Sequence, residues 1–344
     1  MTDYRFGRRG FLKASGASAL GASGMFAGES AAAQEPASST PAHEKKFPQL
    51  AMITEYSPQK LAFAASVGYQ GVVVKVGPEF NSRLPDSKID GILSAARGAR
   101  IRIISIECMA PNHIARDPAE RRKTNSDFIR DLEFGHRLGC KFVGTFSGAI
   151  PGASMEDQAK TLAAVFNEKY LPVCERLDMS MGWENYPCPE NFATVPAAWE
   201  AVFSLVPSPR LGIEFDPSHL VRQYIEYFEA AWNVRDRIRG AHAKDTEIIE
   251  PVLQKIGIHG QGWWRYRIPG QGLIDWPRFI TVLLQAGFGG GIAVEHEDPF
   301  WDETPHNSAP EFPQARKDGF ILAYRFLSMY LPGRMSGSKE NPDE

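Results

Sequence analysis

Residues 211–237 read LGIEFDPSHLVRQYIEYFEAAWNVRDR. The stretch 211–217 is a short apolar and aromatic run that ends in polar residues, the mark of a buried strand. Helical spacing of apolar positions follows over 221–235. A strand and then a helix is half of a parallel crossover, and the same pair recurs along the chain. Strands are expected over 50–56, 71–76, 102–108, 141–147, 180–186, 211–217, 239–245 and 291–297. Helices are expected over 58–67, 86–97, 118–138, 155–176, 196–205, 221–235, 275–286 and 313–330. Gly68, Gly98, Gly139 and Gly287 stand just past four of these helices, where a left-handed residue ends a helix. Eight units in about 285 residues suit an α/β protein with a single (β/α)8 TIM barrel, placed at 48–332. An open doubly wound sheet would bring a glycine-rich loop after its first strand. The sequence there is Tyr56-Ser57-Pro58-Gln59, which is no such loop. The connection 246–274 is expected to be irregular, and long loops in compact domains are usually functional.

The chain has 344 residues with a formal charge of −3, 43% apolar and 23% charged. These values are ordinary for a globular protein and give no basic surplus for nucleic acid. Cys108, Cys140, Cys174 and Cys188 show no CxxC spacing, so free thiols or two disulfides are expected rather than a zinc ribbon.

The N-terminus reads Gly7-Arg8-Arg9-Gly10-Phe11-Leu12-Lys13, then a weakly apolar run over 14–28, then Ala31-Ala32-Ala33. The order of basic pair, apolar run and small residues resembles a twin-arginine export signal over 1–33. Export to the periplasm follows as an expectation. Cleavage after Ala33 removes four basic and two acidic residues and takes the charge to −5. No stretch supplies about 18 uninterrupted apolar residues, so no stable membrane insertion is expected. A linker is expected over 34–47 and a flexible tail over 333–344.

Reactive side chains in such a barrel gather at the C-terminal ends of the strands. Four consecutive expected strands end in polar residues: Glu184-Asn185; Asp216-Pro217-Ser218-His219; His242-Ala243-Lys244-Asp245; and Glu295-His296-Glu297-Asp298. Each delivers a carboxylate or imidazole to one rim. Any one of these alone reads as a helix cap, an ion pair or a structural histidine. Crowded carboxylates repel one another, and one divalent cation keeps them ionised. Three oxygen ligands and one nitrogen favour Mn, with Mg, Co or Zn as alternatives. Glu214 and Glu297 share a face with Asp216 and Glu295 by strand alternation, and would orient ligands from behind. His113, after the third strand, and Lys244 and Arg265 are candidate substrate contacts. The bland alternatives are surface exposure for His113, a salt bridge for Lys244 and an aromatic stack for Arg265. Trp183 points away from the ligand side and reads as packing.

These strand ends resemble the xylose-isomerase-like barrel superfamily, in its sugar phosphate isomerase/epimerase branch. Residues 264–272, followed by Asp275-Trp276, also resemble a loop of many members. The resemblance covers nearly all of the chain past the signal. It implies metal ligands at Glu184, Asp216, His242 and Glu295, and a substrate-contacting histidine at His219. The arginine that ketose 3-epimerases carry six positions after the ligand histidine is Ile248 here, which leaves Lys244 or Arg265 to replace it. The implied reaction is isomerisation or epimerisation of a sugar or keto-sugar through an enediolate, with Glu184 and Glu295 as the acid–base pair and His219 moving a hydroxyl proton. The partner is then a small carbohydrate, and a homo-oligomer is compatible with the family. The same apparatus acts as a lyase when a leaving group lies β to the abstracted proton, as in a 3-keto-glycoside or inosose. A multi-zinc apurinic endonuclease needs a basic groove and more rim histidines. A non-catalytic carbohydrate-binding barrel has no use for crowded carboxylates.

Overall fold

The computed structural model describes residues 47–109, 111–302 and 309–331. The export signal expected at 1–33, nearly all of the linker expected at 34–47 and the tail expected at 333–344 lie outside the described residues. The four cysteines are free thiols. Among the described residues no helix is long and apolar enough to cross a membrane.

Eight parallel strands close into a barrel: β1 (Gln49–Glu55), β2 (Gly71–Lys75), β3 (Arg102–Cys108), β4 (Phe142–Thr145), β5 (Ser180–Glu184), β6 (Leu211–Phe215), β7 (Ile238–Ala243) and β10 (Gly291–Val294). β10 pairs with both β7 and β1, which seals the sheet. Alternation along each strand sorts residues between two apolar layers. On β1, Leu50 and Met52 face the helices, whereas Ala51 and Ile53 join Val73, Ala293 and Ile104 in a small separate cluster inside the barrel.

The crossovers begin at caps legible in the sequence. α1 (Pro58–Val67) starts with Ser57, whose hydroxyl accepts from the Lys60 backbone N–H, and ends at Gly68 with φ of 112°. A Cβ at Gly68 would also press into Tyr324, so both strain and space demand glycine there. α2 (Asp86–Ala99), α3 (Pro118–Arg137), α6 (Pro196–Leu205), α10 (Trp276–Gln285) and α11 (Gln314–Ser328) fill their expected places within two residues.

Three expectations need correction. The helix expected over 155–176 is α4 (Met155–Val165), a π turn over Phe166–Tyr170, and α5 (Leu171–Arg176). Pro172 has no N–H for the helical ladder, and the wider turn before it takes up the mismatch, with Leu171 N–H donating to Phe166 O. The helix expected over 221–235 begins earlier and breaks. α7 (Pro217–Val221) starts as soon as β6 ends, and α8 (Tyr227–Val234) follows a gap in which Tyr224 adopts a left-handed φ of 56°.

The connection 246–274 is not irregular. It folds as an antiparallel hairpin of β8 (Asp245–Ile248) with β9 (Trp264–Arg267), spanned by α9 (Glu250–Ile256). β7 therefore stops at Ala243, and Asp245 turns the chain. Its carboxylate is fully buried and accepts from four donors: the backbone N–H groups of Thr246, Gly270 and Ile274, and Trp276 Nε1. Thr246 Oγ1 donates to Ser218 O at 2.9 Å, which ties the hairpin to the start of α7.

Candidate metal centre and active site

β5, β6, β7 and β10 are neighbours in the barrel and end at one rim. Glu184 closes β5, Asp216 follows β6, His242 is next to last in β7, and Glu295 follows β10. One ligand atom from each of these four buried residues lies within 4.8 Å of the other three. His242 Nδ1 is 3.1 Å from Glu184 Oε1, 3.3 Å from Glu295 Oε2 and 3.6 Å from Asp216 Oδ2. Asp216 divides its carboxylate. Oδ1 caps α7 by accepting from Ser218 N–H at 2.8 Å, and Oδ2 faces the cluster without a well-formed hydrogen bond. The capping reading and the ligand reading of this residue therefore hold together. Asn185 fastens the ends of β5 and β6, exchanging two hydrogen bonds of 2.8 Å with the Asp216 backbone.

On the far side of His242, Nε2 lies 3.3 Å from Glu107 Oε1 and 3.4 Å from Glu214 Oε1. A ligating imidazole is commonly oriented by a carboxylate from that side. Burial pushes Glu214 up to about 8 against the opposing His242 charge. Its room comes from two glycines: a Cβ on Gly144 would collide with Glu214 Oε2, and one on Gly240 would come within 3.0 Å of Oε1.

Burial also opposes ionisation of the ligand carboxylates, but nearby cations outweigh it. The His242 charge holds Glu184 at about 2. His219 and Lys244 hold Asp216 well below the ordinary range, and Lys244 and Lys75 do the same for Glu295. Lys244 Nζ lies 2.6 Å from Glu295, 3.1 Å from Asp216 and 3.1 Å from Glu297, while Lys75 Nζ lies 2.9 Å from the other oxygen of Glu295. The ensemble packs the carboxyl groups of Glu107, Glu184, Glu214, Asp216, Glu295 and Glu297 around two lysines and two histidines. With Asp216 Oδ2 turned into the cluster, that donor set fits a hard divalent cation.

Burial disfavours a charge on His242, yet Glu184 and Glu214 overcome it and raise the imidazole well above 6.5. A cation at Nδ1 must displace that proton. Metal affinity is therefore expected to rise with pH through neutrality, with about one proton released per ion. Calorimetry in buffers of different ionisation enthalpy measures this, and a buffer-independent heat would contradict it.

His219 is fully buried beside the cluster. Its Nε2 is 3.0 Å from Glu184 Oε1 and 3.2 Å from Asp216 Oδ2. Its Nδ1 is 2.8 Å from the Tyr266 hydroxyl, and the rings of Tyr186 and Tyr266 pack on it at 5.0 and 5.5 Å. The structure thus gathers Glu184, Asp216, His219, His242, Lys244 and Glu295.

Two expected substrate contacts are not brought there. His113 is fully buried but outside the cluster: Nδ1 meets Tyr170 Oη at 2.7 Å, Nε2 meets Thr145 Oγ1 at 2.9 Å, and Phe128 packs edge-on. Both ring nitrogens are spent on core partners. Arg265 lies on the outward face of β9, where its Nε donates to Glu247 at 2.7 Å. Alternation turns Tyr266 inward instead. Lys75, Glu107 and Tyr266 are the site residues that the sequence reading missed. Lys75 has a signal, because it shares strand parity with inward-facing Val73.

Burial drives the His113 imidazole down from 6.5 to about 3. The folded chain keeps it neutral while the unfolded chain protonates it below about 6.5. Its contribution is complete above that pH and drains away as pH falls towards 3. Between pH 7 and 4 the wild type is expected to lose roughly 3 kcal/mol more stability than His113→Gln. Urea unfolding at both pH values tests this, and parallel pH slopes would refute it.

Residues 61–316 match the family described as Xylose isomerase-like TIM barrel. Uncharacterized protein YfiH of Bacillus subtilis is 25% identical over 215 residues, 53% of this chain and 68% of that protein. Inosose dehydratase of Klebsiella pneumoniae is 26% identical over 212 residues, 52% of this chain and 66% of its own. Mannonate dehydratase from Streptococcus suis superposes with a TM-score of 0.64 at 15% identity, covering 82% of this chain and 94% of its own. D-psicose 3-epimerase from Clostridium cellulolyticum, solved with D-tagatose, gives 0.63 at 12% identity, with 82% and 99% covered. At such identities these two likenesses establish the shared fold.

Proposed function

We infer the function from one premise: the chain belongs to the Xylose isomerase-like TIM barrel family. We propose an enzyme that moves a proton at the carbon next to a carbonyl in a sugar or keto-sugar, as an isomerase or epimerase. The observation that carries this reading is the convergence of Glu184, Asp216, His242 and Glu295 within 4.8 Å, with His219 against two of them. A divalent ion held by those four, manganese foremost, would supply Lewis-acid stabilisation of the charge that develops on the carbonyl oxygen.

The chain's own groups do the rest. Glu184 and Glu295 remove and return the carbon-bound proton. His219 Nε2 holds or moves a hydroxyl proton, and Tyr266 fixes its ring through Nδ1. Lys244 holds Glu295 ionised and keeps it from swinging away. Walls that leave Glu184, His219, Lys244 and Glu295 each less than a tenth exposed keep bulk water from them.

Elimination is the second reading. One sequence relative bears the name Inosose dehydratase, and His219 and Lys244 are proton donors placed to assist a departing hydroxyl. Incubation of the metal-loaded protein in D2O with keto-sugars, inososes and 3-keto-glycosides separates the two. Carbon-bound deuterium in a sugar of unchanged composition means isomerisation, whereas loss of water or aglycone means elimination. Neither deuterium nor product across the panel would sink both readings. The Arg8-Arg9 signature adds the proposal that the enzyme works in the periplasm, which fractionation of cells expressing the full chain would test.

A further inference from the structure

Arg222 is used by none of the chemistry above. It caps the end of α7, one turn beyond His219. Its guanidinium lies 4.5 Å from the Trp264 ring centroid and 5.5 Å from each of Tyr186 and Tyr266. The two tyrosines are the rings that pack on His219, so the guanidinium stands one ring's breadth from the cluster.

The other cations at the rim and on β8 and β9 are neutralised. Lys75 and Lys244 pair with Glu295, and Arg265 and Arg267 pair with Glu247. Arg222 has no carboxylate within ion-pair distance among the described residues, and its hydrogen bond to Pro187 O is long, at 3.4 Å. Three rings flank this guanidinium, and apart from the long Nη2 contact to Pro187 O its N–H edge has no acceptor among the described residues. That edge carries N–H donors in the fork that matches a carboxylate. The rings also crowd its head, so less freedom is lost when a ligand docks. One unpaired positive charge answers one negative charge, whereas a phosphate dianion calls for more.

We propose that Arg222, framed by Trp264, Tyr186 and Tyr266, is the subsite for a carboxylate carried by the substrate, which makes the substrate a keto-sugar acid. This rests on the proton-transfer reading, but its test is read in binding. D-fructose, D-fructuronate and D-fructose 6-phosphate share one ketone and differ at carbon six. In calorimetry with the full, metal-loaded chain, D-fructuronate is expected to bind roughly 10–100-fold more tightly than D-fructose. Arg222→Met keeps a flexible stem among the rings and is expected to erase that ratio, with metal content and melting temperature unchanged. Arg222→Lys is expected to restore part of it. Equal binding of all three, preference for the phosphate, no binding of either anion, or a ratio that survives Arg222→Met would overturn the subsite. The expected ratio without deuterium exchange would leave the subsite standing and remove the reaction.

Discussion

Glu295→Gln is expected to slow exchange of the substrate's carbon-bound proton by roughly 10²–10⁴-fold, and Glu184→Gln by a similar factor. Glutamine keeps the volume and one oxygen of each side chain but cannot take up or return a proton. Both positions are nearly enclosed, at 6% and 4% exposure, so water has little access to replace the lost group. The two variants differ in what they leave behind. Glu295→Gln strips Lys75 and Lys244 of a shared counter-charge. Glu184→Gln removes the carboxylate that lies 3.0 Å from His219 and 3.1 Å from His242. Metal content by mass spectrometry should fall only partly in each, because three of the four charged or imidazole ligands remain. Wild-type exchange rates in both variants would end the assignment of these glutamates as acid and base.

Asp245→Ala is expected to destabilise the protein by roughly 3–5 kcal/mol, since each buried donor left unpaired costs about 1–3 kcal/mol. Four donors converge on that carboxylate, from β8, the turn after β9, and α10. Asp245→Asn is no gentle alternative. Its amide nitrogen must face either Thr246 and Ile274 N–H or Gly270 N–H and Trp276 Nε1, which all donate. Denaturant unfolding reads the loss, and hydrogen exchange locates it in residues 245–274. The ligands stand on barrel strands, so metal content is expected to survive while Tyr266 loses its hold on His219. An Asp245→Ala protein that unfolds like wild type would show that the hairpin is held by something else.

The barrel was legible because each strand is a short apolar run with helical spacing after it, and such local patterns survive folding. The cluster of Glu184, Asp216, His242 and Glu295 was legible because each member lies at or just past a strand end, and closure of a parallel barrel brings neighbouring ends together without further information. His113 was misplaced because its position after β3 suggests the mouth. What turns it into the core are Tyr170 and Thr145, which lie 57 and 32 residues away in the chain. Arg265 was misplaced for a related reason. Which face of 264–267 looks inward depends on a hairpin whose partner strand lies about twenty residues earlier, and an apparent loop hides that parity. Lys75 and Glu107 come from β2 and β3, on the opposite wall from the strands whose ends drew notice.

The rim groups proposed to handle protons belong to the barrel, while Trp264 and Tyr266 belong to a two-stranded sheet for which no pairing with it is found among the described residues. Inheritance can therefore treat them separately. A descendant that exchanged the hairpin carrying Trp264 and Tyr266 for one of another length or composition is expected to change which ligand it takes while keeping the glutamates of the proposed proton transfer.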